Sequence, residues 1–200
     1  MNCSTQIITL SSSELILSPA ETKARLGGAD PASLPGLVQA ERNLRAVMEP
    51  KGVWRCAPVR RLAQGVLDIG FGEIRCDSLV RLLEHCEYAI TMAVTLGVGT
   101  DRLLTRLSMT SPAAQFLTDA LASSAVEAAA NAMQARIGQS IPTTRRFSPG
   151  YGSLPLEIQP ALLEFLGAQK FLGLTLTKSM LMVPTKSVSA VMGVKQDERR

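Results

Sequence analysis

The chain has 200 residues and a mass of 21.4 kDa. One domain accommodates that length, and roughly 70% of the unfolded surface can then be buried without disulfides or metals. Hydrophobic residues make up 46%, charged residues 19%, and mean hydropathy is +0.16, a balance that excludes global disorder. The net charge of +4 arises in residues 101–200, which hold eleven Lys/Arg against seven Asp/Glu; the first hundred hold ten of each. That excess suits an anionic ligand or an acidic partner better than nucleic acid, which calls for a denser basic face interleaved with aromatics.

Ser18-Pro19-Ala20-Glu21 reads as a capping box with proline at the first helical position, and Gly27-Gly28 stops that helix. A second helix is predicted over Leu37–Met48, with Val38, Leu44 and Met48 on its apolar face and Pro50 beyond its end. Val53–Val59 and Gly65–Ile69 read as strands. Asp77 is expected to cap a helix reaching about Cys86, with Leu79, Leu82, Leu83 and Cys86 as its stripe. Tyr88–Leu96 reads as a buried strand, and Gly97-Val98-Gly99 turns the chain into a helix carrying Leu103, Leu104 and Leu107.

Ser111-Pro112 opens a long alanine-rich helix that runs to Ile137 and stops at Gly138. A further helix starts at Pro160 and ends at Gly167. Leu181–Val183 and Ser187–Val194 bracket Pro184-Thr185 and predict an antiparallel hairpin with one buried face. Strands and helices mix without regular βαβ alternation. The fold class is therefore α+β: a mixed or antiparallel twisted sheet with a long Ala-rich helix and a C-terminal hairpin, forming a single domain over residues 1–200.

Tyr88–Gly99 is the longest mostly apolar stretch. Thr91 and Thr95 interrupt it, and it is shorter than the roughly 20 residues of a membrane span. The first positive side chain is Lys23, so a charged leader is missing and a cytoplasmic location is expected. Cys3, Cys56, Cys76 and Cys86 lack CxxC spacing and read as reduced thiols. His85 is the one histidine, which excludes sites that need two and predicts no metal centre.

Gly97-Val98-Gly99 with Arg102 resembles half of a dinucleotide fingerprint, which offers an ordinary S-adenosylmethionine methyltransferase as an alternative. Its third glycine is replaced, and no second strand with an acidic end follows. A simple strand-to-helix turn is the better reading. His85 and Cys86 are adjacent and cannot face each other on a helix.

The informative stretch is Arg146-Phe147-Ser148-Pro149-Gly150-Tyr151-Gly152-Ser153-Leu154-Pro155. Ser148-Pro149-Gly150-Tyr151 fits a type II turn, with proline presetting the second position and glycine supplying positive φ at the third. Such a loop exposes backbone groups to a ligand. Arg146 can hold a carboxylate with two parallel hydrogen bonds, and the Tyr151 ring can face an adenine or a sulfonium. From local chemistry alone, a rigid surface turn remains an equal alternative.

Arg146-x-x-x-Gly150-Tyr151-x-x-x-Pro155 resembles the S-adenosylmethionine-binding motif of the activation (reactivation) domain of cobalamin-dependent methionine synthase. The run from Arg146 to Gln159 is similar to small stand-alone versions of that domain. Cys86–Gly97 and Leu172–Val188 resemble two more of its segments, and the resemblance is clearest over residues 65–194. The fold it implies is that of the activation domain.

The resemblance implies an S-adenosylmethionine-binding activation subunit. It would support reductive methylation of cob(II)alamin on a separate cobalamin-dependent methionine synthase or related corrinoid methyltransferase. A flavodoxin- or ferredoxin-type donor would supply the electron. Arg146 would hold the ligand carboxylate, the backbone around Ser148 and Pro149 would read the ligand, Gly150 would allow its approach, and Tyr151 would face the reaction site. Glu127 matches an acidic position on the family's long helix.

An Asp-x-His-x-x-Gly cobalamin motif is lacking, so the cobalamin is expected from the partner protein. Lys178 stands where the family often has an acidic residue, and the family's aromatic ligand contact beyond the C-terminal strand has no counterpart before Arg200. These departures carry an alternative: a docking or capping module for a corrinoid protein that has lost S-adenosylmethionine binding.

Overall fold

The computed structural model describes residues 4–195. In chain order the elements are strand β1 (Gln6–Thr9), helices α1 (Pro19–Arg25) and α2 (Leu37–Val47), strands β2 (Lys51–Pro58), β3 (Arg60–Ala63), β4 (Val66–Asp68) and β5 (Glu73–Arg75), helix α3 (Asp77–Leu82) and strand β6 (Tyr88–Thr95). Helices α4 (Val98–Thr110), α5 (Pro112–Gly138), α6 (Gln159–Leu166) and α7 (Ala168–Leu172) follow, then strands β7 (Thr175–Leu176), β8 (Met182–Val183) and β9 (Ser187–Gly193). The expected α+β class holds, and the named strands pair antiparallel throughout.

The central sheet has the order β1-β2-β6-β9. Its side chains alternate between two cores, as the period of a strand requires. Ile90, Met92, Val94, Ala190 and Met192 pack with Ala122, Ala125, Ala129 and Met133 of α5. Ala89, Ala93 and Val191 face the other way, toward Leu162, Leu163 and Leu166 of α6 and Ile74 and Leu79 of the small-sheet region. Both faces of β6 are therefore covered, which is why its sequence is an almost unbroken apolar run.

The 27-residue α5 starts as predicted: Ser111 caps it by accepting from Ala114 N–H at 3.4 Å, and Pro112 follows. Its alanines let α1, α2, α4 and the sheet approach it closely. This packing, rather than one amphipathic stripe, explains its composition.

Four details differ from the sequence expectation. Val38 is 75% exposed; Ala40, Leu44 and Met48 form the buried face of α2. Asp77 is the first residue of α3, and the cap is the Cys76 sulfur, which accepts from Leu79 N–H at 3.4 Å. That helix ends at Leu82, so His85 and Cys86 lie beyond it; His85 is exposed and Cys86 buried.

The C-terminal hairpin joins β7 to β8, whereas Ser187–Gly193 pairs with β6. Its burial is nearly continuous because a core covers each face. Strands β1, β3 and β5 were not evident in the sequence; β3 is exposed at every position and shows no alternation.

The Gly97-x-Gly99 turn is structural. A Cβ on Gly99 would run into the carbonyl oxygen of Val47 at the end of α2. Glycine there lets α4 start against α2, so no phosphate-binding role is needed to explain it. Cys56, Cys76 and Cys86 are buried thiols, and Cys3 lies outside the described residues. Among the described residues no helix is long and apolar enough to cross a membrane, and no three His, Cys, Asp or Glu side chains gather as metal ligands.

Candidate ligand site

The segment after α5 returns along the β9 edge of the sheet. Phe147 exchanges two backbone hydrogen bonds with Val191, each 2.9 Å, and Thr143 bridges Val194. Successive side chains of an extended segment point to opposite sides. Phe147 accordingly packs with the α6-side core, and Arg146 turns toward α5.

The Arg146 guanidinium meets three acceptors of that helix. It donates to Gln134 Oε1 at 3.0 Å, to Asn131 Oδ1 at 2.8 Å and to Glu127 Oε2 at 3.4 Å. Residues 127, 131 and 134 are spaced four and three apart, which places them on one face of α5. The Arg146 side chain is 17% exposed and that of Glu127 34%, so this ion pair is shielded more than an ordinary surface bridge.

Beyond Phe147 the chain makes the predicted turn. Tyr151 N–H donates to Ser148 O at 3.2 Å, and Gly150 has φ +84°, a conformation that favours glycine. Gly150 N–H then donates to Leu154 O at 2.9 Å, which closes the loop. Ser153 anchors it from below: its hydroxyl lies 3.3 Å from the Cys76 sulfur and donates to Ser78 Oγ at 2.9 Å.

Between this loop, α5 and β9 lies a cavity of about 700 Å³, within the usual range for small-molecule sites. Glu127, Arg146, Ser148, Pro149 and Tyr151 line it, so five of the six sequence-derived residues meet at one cavity. Gly150 is not in the lining; it shapes the turn that presents its neighbours. Tyr151 is 70% exposed and stands at the rim.

Residues remote in sequence complete the walls, and the motif gave no sign of them. Lys186 is held by Asp119 Oδ1 and Ser123 Oγ, both at 2.8 Å. Gln159 and Ser189 form a buried polar floor, where Gln159 donates to Met180 O at 2.9 Å. Arg25 reaches in from the end of α1.

Chemically, the site joins a cation and a carboxylate, 3.4 Å apart, at one end of a half-polar cavity. An α-amino acid group carries the complementary pair. Its carboxylate matches Arg146 and its ammonium matches Glu127. The long Arg146–Glu127 contact is the one such a ligand would replace.

A cavity at the edge of an antiparallel sheet, walled by one long helix and a glycine turn, is the candidate ligand site of this α+β domain. Residues 142–199 match the family described as "Vitamin B12 dependent methionine synthase, activation domain". No curated protein sequence matches the chain. Among solved structures, the fold matches the crystal structure of the MetH reactivation domain bound to AdoHcy, with a TM-score of 0.71 and 18% sequence identity. That match covers 98% of this chain and 80% of the other. The chain is thus similar to the activation domain in sequence over residues 142–199 and in fold over nearly its whole length.

Proposed function

We propose that this protein binds S-adenosylmethionine in the cavity between α5 and β9. As a separate single-domain subunit, it would support the reductive methylation of cobalamin carried by a methionine synthase or related corrinoid protein. The observation that carries this reading is the Arg146–Glu127 pair inside a cavity bounded by the Ser148–Tyr151 turn. The residues fit the ligand: a zwitterion-complementary pair at one end, polar groups on the floor and an aromatic ring at the rim.

The task of the chain is positioning. Arg146 and Glu127 hold the amino acid end, the turn fixes the approach, and Tyr151 at the rim orients the reacting end toward the partner. The partner's cobalamin supplies the nucleophilic cobalt. A flavodoxin- or ferredoxin-type donor supplies the electron, and the assembly works in the cytoplasm. Exposed Tyr151 at the rim, with exposed Leu181 and Val183 flanking the cavity residue Met182, favours docking of a partner over this face. Docking without ligand binding is therefore the second reading.

Calorimetry with S-adenosylmethionine tests the assignment. One-to-one binding is expected, weakened about 10- to 100-fold by Arg146→Ala as a charge-assisted pair is lost. Equal affinity in both proteins would remove Arg146 from the site, and absence of binding would favour the docking module. In reconstitution with a cobalamin-loaded partner and reductant, the spectrum of methylated cobalamin should appear only when this protein is present. Tyr151→Ala should slow its appearance more than it weakens binding.

A further inference from the structure

The Arg146 guanidinium is held on one side by an amide whose own orientation is fixed. Gln134 Nε2 donates to the Thr144 carbonyl oxygen at 3.0 Å and to Thr143 Oγ1 at 3.3 Å. A carbonyl cannot donate and a guanidinium cannot accept. Only one orientation of the amide therefore satisfies both neighbours, with Nε2 toward Thr144 and Oε1 toward Arg146 Nη1 at 3.0 Å. Thr144 is fixed in turn on the end of β9. Its N–H donates to Gly193 O at 2.9 Å, and its hydroxyl accepts from Gly193 N–H at 2.8 Å.

Gln134 is half-buried and is not a lining residue of the cavity. It reaches a ligand only through Arg146. With Nη1 on Gln134, the Nη2 group is the one that meets Asn131 and, at 3.4 Å, Glu127. Contacts on two different nitrogens fix the plane of a guanidinium as well as its position. Both shorter contacts are made to neutral amides. Glu127 is the one anionic partner of Arg146 among the described residues, and its contact is the longest of the three. The positive charge is thus oriented without being neutralised at close range, so it stays available to an incoming carboxylate.

We infer that Gln134 is a positioning residue for the carboxylate contact. Its amide ties Arg146 to the backbone of residue 144 and, through it, to β9, and so aims the guanidinium into the cavity. A carboxylate at position 134 would lose the donor to Thr144, set its own oxygens against that carbonyl and compete with the ligand for Arg146. A methyl group there would leave Nη1 unheld. Asn131 has the lesser part: its bond is shorter, but it is exposed, so water competes for its place. This inference rests on the proposed function, because it takes the ligand carboxylate to be on Arg146.

The test compares S-adenosylhomocysteine, which carries the amino acid end, with methylthioadenosine, which lacks it. Both are titrated into the wild-type chain, Gln134→Ala, Gln134→Glu, Arg146→Ala and the double variant Gln134→Ala/Arg146→Ala, with thermal melts to confirm that each variant folds. Gln134→Ala should weaken S-adenosylhomocysteine about 5- to 20-fold, the range of one hydrogen bond, and leave methylthioadenosine unchanged. Gln134→Glu should weaken S-adenosylhomocysteine at least as much, although it keeps an acceptor for Arg146. In the Arg146→Ala background, Gln134→Ala should cost nothing further, because nothing is left to position. Equal weakening of both compounds would make Gln134 a structural support of the loop and overturn its positioning role. Binding that Arg146→Ala weakens and both Gln134 variants leave unchanged overturns that role alone. A wild-type chain that binds neither compound overturns the proposed function and the role of Gln134 with it.

Discussion

Asp101, in the first turn of α4, accepts two hydrogen bonds from Thr185, one from its N–H and one from its hydroxyl, both at 2.8 Å. The two residues are 84 positions apart. Thr185, Lys186 and Ser187 form one wall of the ligand cavity, so this carboxylate fixes the wall from outside it. The negative charge at a helix N-terminus is favourable in itself.

Asp101→Ala is therefore expected to loosen the 185–187 wall. The cost to stability should be about 1–3 kcal/mol, since the bonds are charge-assisted. Urea midpoints measure that cost, and ligand affinity should fall with it. Asp101→Asn keeps one acceptor and should lose less. Equal losses in both variants would mean that charge alone, and not the pair of hydrogen bonds, holds the wall.

Gly99→Ala should destabilise the fold by about 1–3 kcal/mol, because the added methyl meets backbone at Val47 and one of the helices must shift. Thermal unfolding measures this. Ligand affinity, measured on the folded fraction, should be unchanged. A binding defect without loss of stability would return the Gly97-x-Gly99 turn to the list of ligand contacts.

Burial pushes the Cys86 thiol above its ordinary range, against the lowering influence of Arg61 and Lys195. The folded chain therefore holds this proton more tightly than the unfolded chain does. The resulting contribution is fully present below the ordinary thiol pKa, about 8.5, and is lost as pH rises beyond it. Stability should drop between pH 8 and pH 9.5, and Cys86→Ala should flatten the drop. Denaturant titrations at the two pH values decide it; an equal drop in the variant would assign the effect to other groups.

The elements legible in the sequence were those with local causes. Ser111-Pro112 and Gly138 bound α5, and the apolar run of β6 marked a strand covered on both faces. Proline and glycine placed the Ser148–Tyr151 turn correctly. What stayed hidden depends on tertiary partners. Val38 has the same chemistry as a core residue yet points outward, because α5 meets α2 through Ala40 and Leu44.

Cys76 outcompetes Asp77 as a cap through the geometry of its backbone, which composition does not report. Half of the cavity was invisible for a similar reason. Arg25, Gln159 and Lys186 are distant in sequence and meet only because α1, α6 and β9 close on the same stretch of α5 and the loop after it.

The two sides of α5 have different duties, yet they share one backbone. Ala122, Ala125, Ala129 and Met133 are its core side, while Ser123 and Glu127 are its cavity side. A one-residue insertion near Ser123 would turn everything beyond it by about 100° and move it about 1.5 Å along the axis. Hydrophobic core and ligand contacts would go out of phase at once. The binding residues thus cannot drift in register while the fold persists, and heat should abolish binding and secondary structure in a single shared transition.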